Sequence, residues 1–288
     1  MNTRQLITWF DAHARDLPWR KPGTTPWGVL VSEVMLQQTP VHRVTGVWTE
    51  WMARWPTPSS LAAETPGAAV RAWGKLGYPR RALRLHASAV AIASQHDDVV
   101  PSDVDVLLTL PGIGAYTARA VAAFGYGHRV PVVDTNVRRV VARALRGRAD
   151  PAAPSTCRDL SDVEGVLPQA QPARFSAALM ELGAVVCTAR SPRCADCPVV
   201  GECAWIRAGK PAGTVSGRPG QRFAGTDRQV RGLLLDVLRA TASPVPRARL
   251  DEVWVDAQQR DRCLDSLIVD GLVEQAIDGC FALPGERP

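Results

Sequence analysis

The sequence predicts an all-α body. Three observations carry that expectation. Apolar residues recur at spacings of three and four, proline and glycine cut the chain into helix-length pieces, and no β-branched alternation of any length occurs before residue 200. Leu6, Ile7 and Phe10 share one face of a first helix, and Val31, Val34 and Met35 one face of another. Pro22-Gly23, Pro56 with Pro58, Pro66-Gly67 and Pro111-Gly112 mark the breaks. After Cys203 the composition shifts, and Gly209–Gly225, rich in Gly, Pro, Ser and Arg, reads as a linker or extended arm. Helical spacing resumes at Val230, Leu233, Leu234, Val237 and Leu238, with two further helices at Leu250–Trp254 and Cys263–Ile268. Val273–Leu283, interrupted by Asp278-Gly279, reads as a β-hairpin. Three helices and a hairpin follow winged-helix order, and a small helical cap is the equal alternative.

At 288 residues the chain has room for about two domains. The expected division is a body at 1–208, a linker at 209–227 and a small C-terminal domain at 228–288. A hydrophobic share of 46% with 22% charged residues excludes wholesale disorder. The longest apolar runs, such as Leu233-Leu234-Leu235 and Val90-Ala91-Ile92-Ala93, fall far short of the ~20 residues of a membrane helix. Asp11, Arg15 and Asp16 in the first turns argue against a signal peptide, so a cytoplasmic protein without a membrane partner is expected. The net charge is +6, and it is clustered. Arg71–Arg84 holds five basic residues and no acid, and Arg129–Arg148 six arginines against Asp134 alone. Such stretches suit a polyanion such as nucleic acid and equally suit solvated helix faces.

The strongest chemical signal is Cys187-x6-Cys194-x2-Cys197-x5-Cys203, four of the seven cysteines within 17 residues. In a reducing compartment such a cluster reads as a metal site rather than as disulfides. Structural zinc usually takes two short knuckles, whereas one Cys-x2-Cys pair flanked by longer loops fits a compact iron–sulfur cluster better. Arg190 and Arg193 inside the loop offer positive charge to a phosphate. Cys157, Cys263 and Cys280 are scattered and read as buried small hydrophobes.

Three further motifs carry chemistry. In Leu110-Pro111-Gly112-Ile113-Gly114-Ala115-Tyr116-Thr117-Ala118, Gly112 and Gly114 precede a helix-forming run, a pattern that lets backbone N–H groups approach a phosphate. It is a helix-hairpin-helix candidate for the DNA backbone, a contact that positions without reading sequence. In Ser32-Glu33-Val34-Met35-Leu36-Gln37-Gln38-Thr39 the carboxylate lies in an apolar helix. Facing solvent it is ordinary, whereas facing inward it is desolvated toward the pKa of a general acid, with Gln37, Gln38 and Thr39 at the helix end for bases. In Val133-Asp134-Thr135-Asn136, Asp134 is either a simple N-cap or a carboxylate that stabilises a cationic transition state. Glu33 and Asp134 together would make the two-carboxylate arrangement of glycosyl-bond cleavage.

Together these motifs resemble the helix-hairpin-helix DNA glycosylases that carry a four-cysteine iron–sulfur cluster, and within them the adenine-specific mismatch glycosylases of the MutY type. The likeness runs from about Leu6 to Trp205. Leu17-Pro18-Trp19-Arg20 and Ser32–Thr39 are particular to the adenine enzymes, while the cysteine spacing and the hairpin are shared with endonuclease III relatives. The resemblance implies a two-lobed body, with a six-helix lobe at about 26–128 and a cluster lobe from 1–25 plus 129–208. It implies a [4Fe-4S] cluster on Cys187, Cys194, Cys197 and Cys203. The implied substrate is double-stranded DNA with adenine opposite 8-oxoguanine or guanine, bound by a monomer. Glu33 would protonate adenine N7 and Asp134 would stabilise the sugar cation, supported by Tyr116 and Asn136. Arg15, Trp19, Arg20 and Leu36 would line the pocket of the flipped adenine. Gln38, Thr39 and Tyr78 would fill the gap and touch the opposing base. Strand-cutting relatives place a lysine where this chain has Tyr116, which implies a monofunctional glycosylase.

The departures from the family are specific. Thr135 stands where the family usually has glycine, Ala177 where a Gln or Glu contacts adenine, and Pro79 where a second aromatic follows Tyr78. The larger β-rich domain that grips 8-oxoguanine in many relatives has no recognisable counterpart after Cys203. The rival readings are a thymine–guanine mismatch or oxidised-pyrimidine glycosylase and, more distantly, an iron–sulfur DNA-binding regulator.

Overall fold

Helices follow one another with little else between them in the computed structural model, which describes residues 1–213 and 222–286. In chain order they are α1 (Thr3–His13), α2 (Pro26–Leu36), α3 (Val41–Arg54), α4 (Pro58–Ala62), α5 (Pro66–Trp73), α6 (Arg80–Gln95), α7 (Val104–Thr109) and α8 (Ala115–Tyr126). Then come α9 (Thr135–Ala144), α10 (Thr156–Glu164), α11 (Pro172–Val185), α12 (Ala204–Arg207), α13 (Asp227–Arg239), α14 (Arg247–Asp251) and α15 (Ala257–Val269). Strands β1 (Glu274–Gln275) and β2 (Phe281–Ala282) close the chain as an antiparallel pair, with Glu274 opposite Ala282. Of the linker expected at 209–227, residues 214–221 lie outside the described residues. No helix among the described residues is long and apolar enough to cross a membrane.

Capping side chains set many of the helix starts. Asn2 accepts from the Gln5 amide at α1, and Thr65 from Ala68 at α5, where Pro66 presets the first helical φ. Thr57 and Ser60 close a reciprocal capping box at α4. Asp256 accepts from the Gln259 amide, so the last helix starts at Ala257, earlier than its apolar pattern at Cys263–Ile268 alone suggests.

The residues divide into two units. The first comprises Met1–Val29, Ser102–Leu108 and Gly114–Arg218, and the second Leu30–Pro101, Thr109–Ile113 and Pro219–Pro288. In the first, α1, α9 and α11 pack around Leu6, Phe10, Val137, Val141, Phe175 and Leu182. In the second, α4 and α5 pack on α6, and Trp51 meets the edges of Trp55 and Trp73 at 4.8 and 5.6 Å, the edge-to-face geometry that aromatic quadrupoles favour. The same unit holds the C-terminal elements: α13 packs on α15, and Val245, ahead of α14, bridges Phe281 of β2.

The scattered cysteines divide. Cys263 is buried, Cys280 is half-buried, and Cys157 is exposed. Cys157 therefore departs from the buried-hydrophobe expectation, because it lies on the exposed face of α10 rather than with the buried Val163 and the half-buried Leu160. The basic stretches are also largely neutralised within the protein. Arg129 pairs with Glu164, Arg138 with Asp159 and Arg146 with Asp162, while Arg81 and Arg143 are buried.

Candidate active site

In the second unit the site grows from the end of α2. This helix is buried continuously from Trp27 to Met35, so Glu33, 6% exposed, is taken out of solvent together with Ser32 in an otherwise apolar stretch. The chain then turns through Gln37, Gln38 and Thr39, and Arg81 at the start of α6 gathers that turn. Arg81 Nη1 donates to the carbonyls of Val34, Met35 and Gln37 at 2.8, 3.0 and 2.6 Å. Its Nη2 donates to Thr39 Oγ1 at 2.9 Å and to the Gly77 carbonyl at 3.0 Å. A cation at the C-terminal carbonyls of a helix also complements the helix dipole. The guanidinium lies over the rings of Trp73 and Tyr78, 5.1 and 5.6 Å from their centroids. Burial lowers its pKa to about 10, so it stays charged at neutral pH.

Arg81 thereby brings Gln37, Gln38, Thr39 and Tyr78 to one place, with the half-buried Leu36 on the same turn. Gln38 and Tyr78 both have positive φ, 55° and 48°, a region costly for side chains of this size. For Tyr78 the strain is compounded, since Pro79 follows it and crowds its backbone further. Tyr78 is 53% exposed, so this strained residue presents an aromatic ring at the surface. In the hairpin between α7 and α8, Gly112 takes φ 78°, and the Pro111 carbonyl accepts from Ser88 Oγ at 2.6 Å.

In the first unit, Gly114 precedes α8 without a capping side chain, and Tyr116 packs against Ala120, Ala123 and Val132. Asp134 caps α9: its Oδ1 accepts from the Val137 amide and its Oδ2 from Asn136 Nδ2, both at 2.7 Å. Burial lifts the Asp134 carboxyl above the usual carboxylate range, while these two donors and the Arg139 charge pull it back. Asn136 is itself held, since its Oδ1 accepts from Arg139 Nη2 at 2.8 Å. Arg139 also donates to the carbonyls of Gly183 and Cys187, each at 2.7 Å. Glu33 and Asp134 thus belong to different units.

Arg15 and Arg20 converge on Glu181, a fully buried carboxylate on α11. Arg15 donates through its backbone N–H, Nε and Nη2 at 3.1, 2.6 and 2.9 Å, and Arg20 through Nη1 at 2.9 Å. Burial alone would raise the Glu181 carboxyl, but the two guanidinium groups hold it below the usual range. Trp19, 8% exposed, lies between them in the chain on a short 3-10 turn, Pro18–Arg20.

The four cysteines line one small cavity together with Arg143, Val186, Pro192, Val200 and Trp205. Among the described residues no group of three or more His, Cys, Asp or Glu is arranged to hold a single metal ion. Four thiols lining one chamber fit an iron–sulfur cluster held by four thiolates. Burial pushes the Cys197 thiol up to about 11 and also raises the Cys187 thiol, so a group that supplies positive charge favours the thiolates at these two positions. Arg143, buried, shapes the loop: it donates to Thr188 and Ala189 carbonyls at 2.7 and 3.0 Å and to Cys187 Sγ at 3.4 Å. Hydrogen bonds to ligand sulfur are a known lever on such clusters.

Sequence reasoning missed Arg81, Arg139, Arg143 and Glu181. A signal existed for two of them. Arg81 stands at the apolar-stripe spacing of Leu85, Ala89 and Ile92, and Glu181 beside Ala178, Leu179 and Leu182, and a charge on a buried stripe is rarely left unpaired.

Comparison with known proteins extends this picture. Residues 31–163 match the HhH-GPD superfamily of base excision DNA repair proteins, and residues 187–203 the iron–sulfur binding domain of endonuclease III. The chain therefore carries an iron–sulfur cluster in the four-cysteine loop. The adenine DNA glycosylase of Mycolicibacterium smegmatis is 66% identical over 284 residues, covering 98% of this chain and 96% of that protein. That of Mycobacterium tuberculosis is 60% identical over 283 residues, with 98% and 93% covered. The human adenine DNA glycosylase is 38% identical over 207 residues, 69% of this chain and 38% of its own length. Among solved structures, a thermostable thymine-DNA glycosylase superposes with a TM-score of 0.65 at 22% identity, over 72% of this chain and 95% of that one. A trapped endonuclease III–DNA covalent intermediate gives 0.61 at 23% identity, over 73% and 95%. At these identities the two structures establish the fold alone, an all-α helix-hairpin-helix glycosylase body.

Proposed function

The chain belongs to the adenine DNA glycosylases, base-excision repair enzymes that hydrolyse N-glycosyl bonds in DNA, and from that premise we propose that it removes adenine mispaired with 8-oxoguanine or guanine and does so without strand cleavage. In this reading Glu33 delivers a proton to adenine N7. The C1′–N9 bond then breaks with its electron pair leaving on the base. Asp134, ionised, stabilises the cationic sugar, water adds to C1′, and its proton passes to a carboxylate. Asn136 and Tyr116 support Asp134, and no lysine is present at position 116 to form a Schiff base. Arg15, Trp19, Arg20 and Leu36 shape the adenine pocket, with Glu181 fixing both arginines. Tyr78, Gln37, Gln38 and Thr39 fill the gap and meet the opposing base, while Gly112 and Gly114 present backbone amides to phosphate. The cluster supplies structural ordering of the Cys187–Cys203 loop. The enzyme acts as a monomer, in the cytoplasm.

The observation that carries this reading is the Asp134 carboxylate, gripped at the start of α9 by two donors with Asn136 itself anchored by Arg139. Single-turnover base release from duplexes holding A opposite 8-oxoguanine, A opposite G, or T opposite G tests it, with Glu33→Gln beside the wild type. Adenine release that falls about 10²- to 10⁴-fold in the variant is expected. Thymine release, or adenine release indifferent to Glu33, would sink the reading. Alkali-independent strand scission would refute monofunctionality alone.

A further inference from the structure

The loop at 74–79, which joins α5 to α6 and carries Tyr78, is met near both ends by carboxylates of the C-terminal segment, at Lys75 within the loop and at Arg80, the first residue of α6. Lys75 Nζ lies 3.6 Å from Asp236 Oδ2 on α13, and Arg80 Nη1 lies 3.1 Å from Asp270 Oδ1 at the end of α15. Asp270 is itself fixed, because its other oxygen accepts from Arg231 Nη2 at 2.6 Å. Just before the loop, the same segment is sewn to α5. The Gly67 amide donates to the Pro284 carbonyl at 2.8 Å, and Arg239 Nε donates to the Val70 carbonyl at 3.1 Å. Arg71 donates to the Leu238 carbonyl at 3.2 Å and pairs with Glu286. The approach is so close that a Cβ on Gly67 would stand 2.8 Å from the Pro284 oxygen. All these residues lie within the second unit.

The alternative use of a three-helix-and-hairpin module is to read DNA with its last helix. The charges of α15 argue against it. Arg260 and Arg262 are offset by Asp261 and Asp265, and both arginines already face aspartates, Asp251 at 2.9 Å and Asp227 at 2.8 Å. A helix without excess positive charge has little to offer a phosphate backbone.

We propose that the C-terminal segment 227–286 is a brace for the Tyr78 loop, with Asp236 and Asp270 as positioning residues that act on gap filling through Tyr78 rather than by touching DNA. The proposal rests on the reading of Tyr78 as the wedge. The segment holds a strained, exposed aromatic ring in one orientation before the duplex arrives, so that the ordering cost is met in advance.

The test is a double-mutant cycle in the full-length, cluster-loaded protein. Asp236→Asn/Asp270→Asn, Tyr78→Ala and their combination are compared on an A-opposite-G duplex with 2-aminopurine beside the target. Its fluorescence reports opening of the stack, and single-turnover release reports chemistry. The Asp pair variant is expected to slow opening by roughly fivefold to tenfold, with the melting temperature and cluster absorbance close to wild type. On the Tyr78→Ala background the same pair should add less than about twofold, because the brace has nothing left to hold. Asp270→Glu, which keeps the charge, should recover most of the rate. Full additivity of the two lesions, or an Asp pair variant that opens the stack at the wild-type rate, would overturn the brace. A Tyr78→Ala protein that opens the stack normally would instead overturn the wedge reading on which it rests. Gly67→Ala gives an independent check: it leaves α5 intact as a helix but drives the seam apart, and it should reproduce the Asp pair phenotype.

Discussion

Each unit holds a buried charge among its candidate residues, Glu181 in the first and Arg81 in the second, and the two are neutralised by opposite means. Glu181 in the first unit meets two full positive charges, from Arg15 and Arg20. Arg81 in the second unit is met by four backbone carbonyls, one hydroxyl and two aromatic faces. The consequence shows in their titration. The arginines hold the Glu181 carboxyl below its usual range despite burial, whereas dipoles do not fully replace water for Arg81, whose pKa falls to about 10. An ion met by counter-ions is a strut that keeps two distant segments together. An ion met by carbonyls instead specifies backbone shape, since each carbonyl must point at it. The first arrangement suits a pocket wall, and the second a turn that must stay strained.

The largest effect expected within this comparison belongs to Asp134, which shares the first unit with Glu181 but lacks a salt-bridge partner of that strength. Asp134→Asn preserves an N-cap, so stability should change by less than about 1 kcal/mol while base release falls about 10²- to 10⁴-fold. The sign of the pH dependence follows from the raised carboxyl. Burial favours protonation of this carboxyl more in the folded than in the unfolded chain, so its contribution to stability is present at low pH and lost as pH rises through the folded value, above which it is ionised. Release by the wild type should therefore fade on the acid side above the usual carboxylate range. The amide of the Asp134→Asn variant has no such titration, so thermal denaturation at two pH values should show the variant gaining on the wild type as pH rises.

Glu181→Gln should come next. Leaving two guanidinium groups around a neutral amide is expected to cost about 2–4 kcal/mol, at the lower end because Arg15 and Arg20 retain some contact with water. Glu181 titrates below its usual value, so its contribution is present above the ordinary carboxylate range and disappears as pH falls through the folded value. Denaturant melts at neutral and acid pH should show the gap to wild type narrowing in acid. A gap that widens would mean the two arginines are not its source.

Arg81→Lys is expected to cost less stability than Glu181→Gln, about 1–2 kcal/mol, because the charge survives but a single ammonium cannot reach all five oxygen partners. Its signature should be functional. Relaxation of the Gln37–Thr39 turn and of Tyr78 should lower single-turnover release severalfold more on A opposite G than heat stability alone predicts. Equal losses in both would make Arg81 a core residue and nothing more.

Much of the frame is legible in the sequence because local rules decide it. The cysteine spacing marks the cluster loop, Pro111-Gly112 marks the hairpin, and Asp134 ahead of an amphipathic run marks a cap that the structure supplies. What is illegible depends on partners far along the chain. Glu181 lies 166 residues from Arg15, and nothing near either residue announces the pair. Arg81 reads as one of a basic run, since a guanidinium meant for solvent and one meant for carbonyls have the same letter. Arg15 and Arg20, expected as bare pocket walls, owe their placement to Glu181. The exposed Cys157 fails for the complementary reason: small apolar character sets a preference for burial, and the helix face decides the outcome.

In the proposed mechanism Glu33 and Asp134 serve one bond-breaking step. Single-turnover adenine release from an A-opposite-8-oxoguanine duplex by Glu33→Gln, Asp134→Asn and the double variant tests this most directly. Each single change is predicted to cost about 10²- to 10⁴-fold, and the double variant should be little worse than the more damaging single one, as for groups that act as a unit. Losses that multiply, or a single variant that keeps wild-type release, would contradict it.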